Sequence, residues 1–289
     1  MNLIKDVDEN MYVVAMTSPG GSVNNELNQI GKMEVQTFNI GMNTLEQKVS
    51  TLGIDQINVF VIDQLNPRRR FASAEGFAEY MEMTGKDKIP ENLVLDAVYV
   101  FTLPEDLQRE AAESAVEMYE QRKAKKIIIN DATTQTGYSG VDFVKKLLID
   151  KGVPEDDIIT IKLEGPLNTK TETKPLIDYC IANNIKNIAV SSAPVHYRRA
   201  FVSTVTRAIE GDHDSQLNIW TVKILEKDYD WKKEKAHSQG TLSGSGITLT
   251  QEEMSRMYAY TENKSLKPWS RIKEYMLARD KRVSAKNEQ

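Results

Sequence analysis

The sequence predicts an α/β protein built on a Rossmann-like open, mostly parallel sheet with helices on both faces. Short apolar runs alternate with amphipathic stretches along most of the chain, which is the pattern of strand-helix units. The runs are rich in Val and Ile with little polar alternation, as in strands buried on both faces. Breakers such as Gly152-Val153-Pro154 fall where a helix gives way to the next strand. Counting the early runs gives about eight alternations, so a (β/α)8-like barrel is the alternative.

Residues 1–92 read as an N-terminal α/β extension, which either lengthens the sheet or forms a small domain of its own. Strands are expected at Met11–Met16, near Met33–Phe38 and at Ile57–Ile62. Helices are expected around Val23, Leu27 and Ile30 and around Leu45, Val49 and Leu52. The turn at Pro19-Gly20-Gly21 lacks the lysine-hydroxyl pair of a P-loop and reads as a plain turn.

Residues 93–289 carry the sharper pattern. Ala97–Phe101, Lys126–Ile129, Ile158–Ile161, Ile188–Val190 and Leu217–Ile224 read as strands. Leu107, Ala111, Ala115 and Tyr119 recur at four-residue spacing on the first intervening helix. Val141, Val144 and Leu148 mark the second, and Leu176, Ile177 and Cys180 the third. Thr169 with Glu172, and Thr250 with Glu253, have the spacing of capping boxes. Residues 227–245 are polar, glycine-rich and without period, so a lid and a mobile excursion are equally expected there. A last helix starts at Pro268-Trp269 with Ile272 and Met276 inward, and Lys281–Gln289 is expected to fray.

Composition narrows the function. With 40% apolar and 27% charged residues, no run approaching a membrane span and no signal-peptide pattern at the start, the expected location is the cytoplasm. A net charge of −5 argues against general affinity for nucleic acid or anionic membranes. Pro67-Arg68-Arg69-Arg70-Phe71 is the single compact basic cluster and reads as a solvated loop. The one cysteine, Cys180, excludes an intrachain disulfide and reads as a small buried hydrophobe. His196, His213 and His237 show no metal-ligand spacing, so no metal site is expected.

If the strands are parallel, their exits share one edge, where open α/β sheets bind ligands. Three exits carry polar side chains: Asp131, Thr133, Thr134 and Ser139; Glu164, Asn168 and Thr169; Ser191, Ser192, His196 and Arg199. Ordinary helix capping accounts for about half of them. It does not account for His196 with Arg199, three residues apart and so on one helix face. His196 is the candidate general acid or base, Arg199 the candidate partner of developing charge, and the others candidate ligand contacts. A serine relay through Ser191 or Ser192 lacks the glycine-flanked nucleophile elbow.

From about Ala97 to Ile224 the order of these residues resembles the YdcF-like proteins, which include SanA and ElyC. The resemblance rests on Arg109 and Ala115, Gly152-Val153-Pro154, Glu164 with Asn168-Thr169, and His196 with Arg199-Ala200. It implies a Rossmann-like sheet with a polar pocket at its carboxyl edge, and S-adenosylmethionine as a ligand class to test. Thr102-Leu103-Pro104 and Asn130-Asp131-Ala132 stand where the family has glycine-rich loops, and the acid after the Asn-Thr pair comes one place late, at Glu172.

Two functions are therefore expected in competition. One is binding of a small anionic or nucleotide-like ligand at the strand exits, with hydrolase or transferase chemistry at phosphate if the protein is an enzyme. The other is a non-catalytic interaction module with a vestigial pocket. Oligomeric state is left open by the sequence.

Overall fold

The computed structural model describes residues 87–134, 137–222, 233–237 and 242–287, together with four strands in the first 86 residues. Those strands, β1 (Asn2–Lys5), β2 (Tyr12–Met16), β3 (Glu34–Thr37) and β4 (Val61–Asp63), form a sheet of their own in the order β3-β1-β2-β4. β1 runs antiparallel to β2 and β3, and β2 pairs with β4 in parallel. β1 has no counterpart in the sequence reading, and the two helices expected in this segment lie outside the described residues. So do the Pro19 turn and the arginine cluster.

The second sheet has five parallel strands: β5 (Ala97–Val100), β6 (Ile127–Asn130), β7 (Ile158–Ile161), β8 (Asn187–Ser191) and β9 (Asn218–Thr221). Their order is β7-β6-β5-β8-β9, an open sheet with the first strand in the middle. Right-handed crossovers leaving β5 in opposite directions put their helices on opposite faces. Accordingly α1 (Glu105–Glu120) and α2 (Val141–Asp150) cover one face, and α3 (Thr169–Ala182) and α4 (Tyr197–Glu210) the other.

Both faces are apolar, with the period of a strand. Ala97, Tyr99 and Phe101 pack toward α3 and α4, while Val98 and Val100 pack toward α1. Ile127 and Ile128 point to opposite layers and are fully buried, each contributing roughly 1.5–3 kcal/mol. Leu107, Ala111 and Ala115 bury the expected stripe of α1.

The polar stretch before the C-terminal helices is not structureless throughout. β10 (Lys235–His237) and β11 (Leu242–Gly244) pair as an antiparallel hairpin, and the Lys235 ammonium meets the Glu110 carboxylate of α1. Trp231 lies outside the described residues. α5 (Gly246–Glu262) starts one turn earlier than expected. Thr250 is therefore no cap, and its hydroxyl donates to the Gly246 carbonyl at 2.8 Å. Leu249 packs in the layer of α1 while Met254 and Met257 pack in that of α4, so α5 spans both layers.

α6 (Trp269–Asn287) runs on where fraying was expected, held by buried Val283 and by Arg282, whose guanidinium donates to the Leu217 carbonyl. It also closes the free edge of β9. The Tyr275 hydroxyl accepts from the Ile219 N–H at 2.8 Å, and Arg279 donates to the Ile219 carbonyl at 2.7 Å. Arg279 lies 5.0 Å over the Trp220 ring and is ion-paired with buried Asp87. No helix among the described residues is long and apolar enough to cross a membrane.

Candidate functional site

The strand order reverses between β5 and β8, and the crevice of a doubly wound sheet opens there. The exit of β8 is fixed first. Ser191 donates its hydroxyl to the Ala111 carbonyl of α1 at 2.7 Å, which ties the strand end to the opposite layer. Ser191, placed among the ligand contacts by sequence, is thereby a buried structural clamp. A tight turn follows, in which the His196 and Tyr197 N–H groups donate to the Ala193 carbonyl.

His196 occupies the N-cap position of α4 without capping it by its side chain. The ring bonds elsewhere on both sides. Ser192 Oγ lies 2.5 Å from Nδ1, and Thr169 Oγ1 lies 3.2 Å from Nε2. Phe101 stands edge-on to the imidazole at 5.9 Å. Arg199, one turn on, donates to the same Thr169 Oγ1 at 2.7 Å and grips the Glu253 carboxylate of α5 with Nε and Nη2. The shared face expected of His196 and Arg199 thus becomes a shared partner, Thr169. His196 is 2% exposed and Thr169 8%.

Thr169 reaches this position because the cap of α3 is one residue earlier than expected. Asn168 is the N-cap: its side-chain oxygen accepts from the Lys170 and Thr171 N–H groups, each at 3.0 Å. Its own N–H donates to Thr171 Oγ1 at 3.1 Å, completing the box. Asn168 is therefore a capping residue, and Thr169 and Glu172, freed from capping, turn inward.

Glu172 was read from the sequence as half of a cap; it is the centre of a second buried cluster. Its Oε2 accepts from the Thr102 N–H at 2.9 Å, Asn130 Nδ2 at 3.0 Å and the Tyr99 hydroxyl at 3.1 Å. Burial pushes its carboxyl up to about 7, while the Thr102 and Tyr99 hydrogen bonds and the charge of Arg199 oppose that rise. Burial likewise raises the Tyr99 hydroxyl, with the nearby Glu172 charge adding to it. The signal for this cluster was in the sequence. A tyrosine inside a buried strand and an asparagine ending an all-isoleucine one both need partners.

The remaining expected contacts do not join these clusters. Asp131 is exposed and accepts from the Leu163 N–H at 2.6 Å, linking two strand exits. Thr133 and Thr134 are exposed, and Thr134 donates to the Ser139 carbonyl at 3.3 Å. Ser139 donates to Glu105 at 3.0 Å, and Glu164 faces solvent. Of the expected set, the structure brings together Thr169, Ser192, His196 and Arg199.

A cavity of about 230 Å3 opens beside them, between α3, α4 and the turn after α5. Thr169, Lys170, Arg199, Ser203 and Arg207 are among its walls. A larger hollow of about 490 Å3, bordered by Cys180, Lys186 and Arg282, lies at the amino end of β8 and β9, the edge where such sheets do not place ligands. Among the described residues no group of three or more His, Cys, Asp and Glu side chains is placed to hold a metal ion. No protein-family model, curated protein or solved structure matches this chain.

Proposed function

We propose that the protein binds a small anionic or nucleotide-like ligand at the carboxyl edge of its parallel sheet, with hydrolase or transferase chemistry at phosphate centred on His196. The observation that carries this reading is that Thr169, the hydroxyl shared by His196 and Arg199, lies on the wall of the cavity. Lys170 adds a further cation to that wall, and Arg207 and Glu210 line it as an ion pair at 3.1 Å. At about 230 Å3 the cavity is smaller than the roughly 300–1,000 Å3 of sites for drug-sized ligands. It suits a phosphate-bearing metabolite; S-adenosylmethionine, the other class in this proposal, needs more room. Kinship with the YdcF-like proteins belongs to the same proposal, supported by the order of Asn168-Thr169 and His196 with Arg199 along the chain. So does a cytoplasmic location, supported by an ordinary globular composition of 40% apolar and 27% charged residues with a single cysteine. The net charge of −5 supports a small-molecule ligand over nucleic acid.

One observation favours the competing reading, an interaction module with a vestigial pocket. The Arg199 fork is already filled by Glu253, as a ligand carboxylate or phosphate would fill it. A thermal-shift screen against inorganic phosphate, nucleotides, sugar nucleotides and S-adenosylmethionine separates the two. At a hundredfold its dissociation constant, a ligand of the native state adds about 2.7 kcal/mol, and the proposal expects that gain to vanish in His196→Ala and Arg199→Ala. No shift from any compound with folded protein would overturn the ligand reading in favour of the module.

A further inference from the structure

We infer that Thr169 is the reactive hydroxyl of this site, a nucleophile toward the phosphorus of a phosphate monoester, with His196 as its proton acceptor. The inference rests on the ligand reading above and names its substrate class and its reacting atom.

His196 touches two hydroxyls, and only one of them meets the cavity. Ser192 is fully buried and forms no part of the cavity wall; Thr169 does. The hydrogen-bond directions fit the same division. A guanidinium only donates, so Arg199 gives an N–H to Thr169 Oγ1 and leaves the hydroxyl's own proton for another acceptor. In the tautomer with Nδ1–H directed at Ser192 Oγ, His196 Nε2 is that acceptor. Ser192 then holds the ring as the third member of a nucleophile-base-orienter chain does, with a hydroxyl in place of the usual carboxylate.

Charge is supplied on the same side. Arg199, 2.7 Å from Oγ1, stabilises the negative charge that the oxygen gains as its proton leaves. Lys170 adds a cation to the cavity wall, beside Arg207, which is ion-paired at 3.1 Å with Glu210 of the same wall. Thr169 is the first residue of the 14-residue helix α3, whose positive dipole end favours the same charge.

The step balances without a further reagent. Oγ1 attacks phosphorus, the Oγ1–P bond forms and the ester P–O bond breaks; the Thr169 proton passes to Nε2, and the leaving oxygen takes a proton from solvent water. A water molecule next attacks the phosphothreonine. The water O–P bond forms, the Oγ1–P bond breaks, His196 returns the proton on Nε2 to Oγ1, and the water's proton goes to solvent. The products are the free alcohol and inorganic phosphate.

The test uses the full chain with p-nitrophenyl phosphate, following nitrophenolate release, locating any phosphoryl group by mass spectrometry after acid quench, and measuring the phosphate-dependent thermal shift. The expected result is release by the wild type with the phosphoryl group on Thr169. Thr169→Ser should retain release within about tenfold, while Thr169→Val and His196→Asn should lose about a hundredfold or more. Full release by a folded Thr169→Val, or phosphorylation at a different residue, overturns the inference. So does a phosphate-induced shift with no ester cleavage, which leaves the ligand reading standing. If neither phosphate nor the ester has any effect, this inference falls, while the ligand reading falls only if nucleotides, sugar nucleotides and S-adenosylmethionine also give no shift.

Discussion

The guanidinium of Arg199 and the carboxylate of Glu253 form a two-pronged ion pair between α4 and α5, with side chains only 9% and 3% exposed. Arg256 approaches the same carboxylate at 3.2 Å. The pair fixes α5 against the histidine turn from 54 residues away.

Removing Glu253 leaves the buried Arg199 guanidinium without this carboxylate, whereas removing Arg199 leaves Glu253 with Arg256 at 3.2 Å. Glu253→Ala is expected to lose about 3–5 kcal/mol, read as a fall in urea midpoint, and Arg199→Ala less than that because Arg256 remains on the carboxylate. The double variant Arg199→Met/Glu253→Leu, which removes both charges and keeps the volume, is expected to recover most of that loss. Additive losses in the double variant would mean that the pair is not acting as a unit.

Glu172 makes stability depend on pH with a definite sign. Its folded carboxyl is raised to about 7 from an ordinary 4.5, so folding takes up a proton between those values. The contribution is fully present below pH 4.5 and is lost as pH rises through 7, about 3 kcal/mol in all. Chemical denaturation across this range should show the decline in the wild type. Glu172→Gln, whose amide oxygen can still accept from Tyr99 and the Thr102 N–H, should flatten this part of the profile and be the more stable protein at pH 8.

Ser191 lies beside the site with a local structural role, and Asn168, though on the cavity wall, spends its side-chain oxygen on the cap of α3. Asn168→Ala should cost about 1 kcal/mol through the lost cap of α3. Ser191→Ala should cost a similar amount, about 1 kcal/mol, through the lost bond to Ala111. Neither should alter the affinity for phosphate in a thermal-shift titration by more than about threefold. A tenfold loss in either would move that residue into the ligand's contacts.

Cys180 should be silent in the native protein. Its thiol is fully buried and pushed by burial up to about 12, so it is almost wholly protonated at pH 8. A thiol reagent should label it in denaturant and hardly at all without; rapid native labelling would show that this part of α3 opens.

The sheet and its flanking helices were legible because their signals are local and periodic. Ala97–Val100 and the Leu107, Ala111, Ala115 stripe declare themselves within one element, and five such units in turn imply an open or closed parallel sheet. The strand order settles between those two, since β5 sits in the middle with β6 and β8 on either side. The meeting of His196 and Arg199 was legible too, through their helical spacing.

Long-range partners were not. Asn168 and Thr169 are both good capping residues, and which of them caps decides whether Glu172 faces solvent or Tyr99, a partner 73 residues away. That choice depends on the buried space already waiting beyond β5 and β6. Glu253 looked like a cap because nothing near it announces that α5 begins at Gly246 or that Arg199 needs a counter-charge. The hairpin of β10 and β11 is too short to show a period, and it stands against α1, far off in sequence.

The central place of β5 also sets the order in which a ribosome can complete this sheet. β6 arrives soon after β5, but the other neighbour, β8, pairs Ala97 with Ile188, so one side of the most buried strand stays unpaired while most of the intervening chain is synthesised. A nascent chain halted before residue 187 presents Val98 and Tyr99 along an open backbone edge, the kind of surface on which chains associate with one another. Translation pausing or truncation within α3 should therefore yield more aggregate than release after β8 has formed, which leaves open only the edge of β8 that β9 later covers.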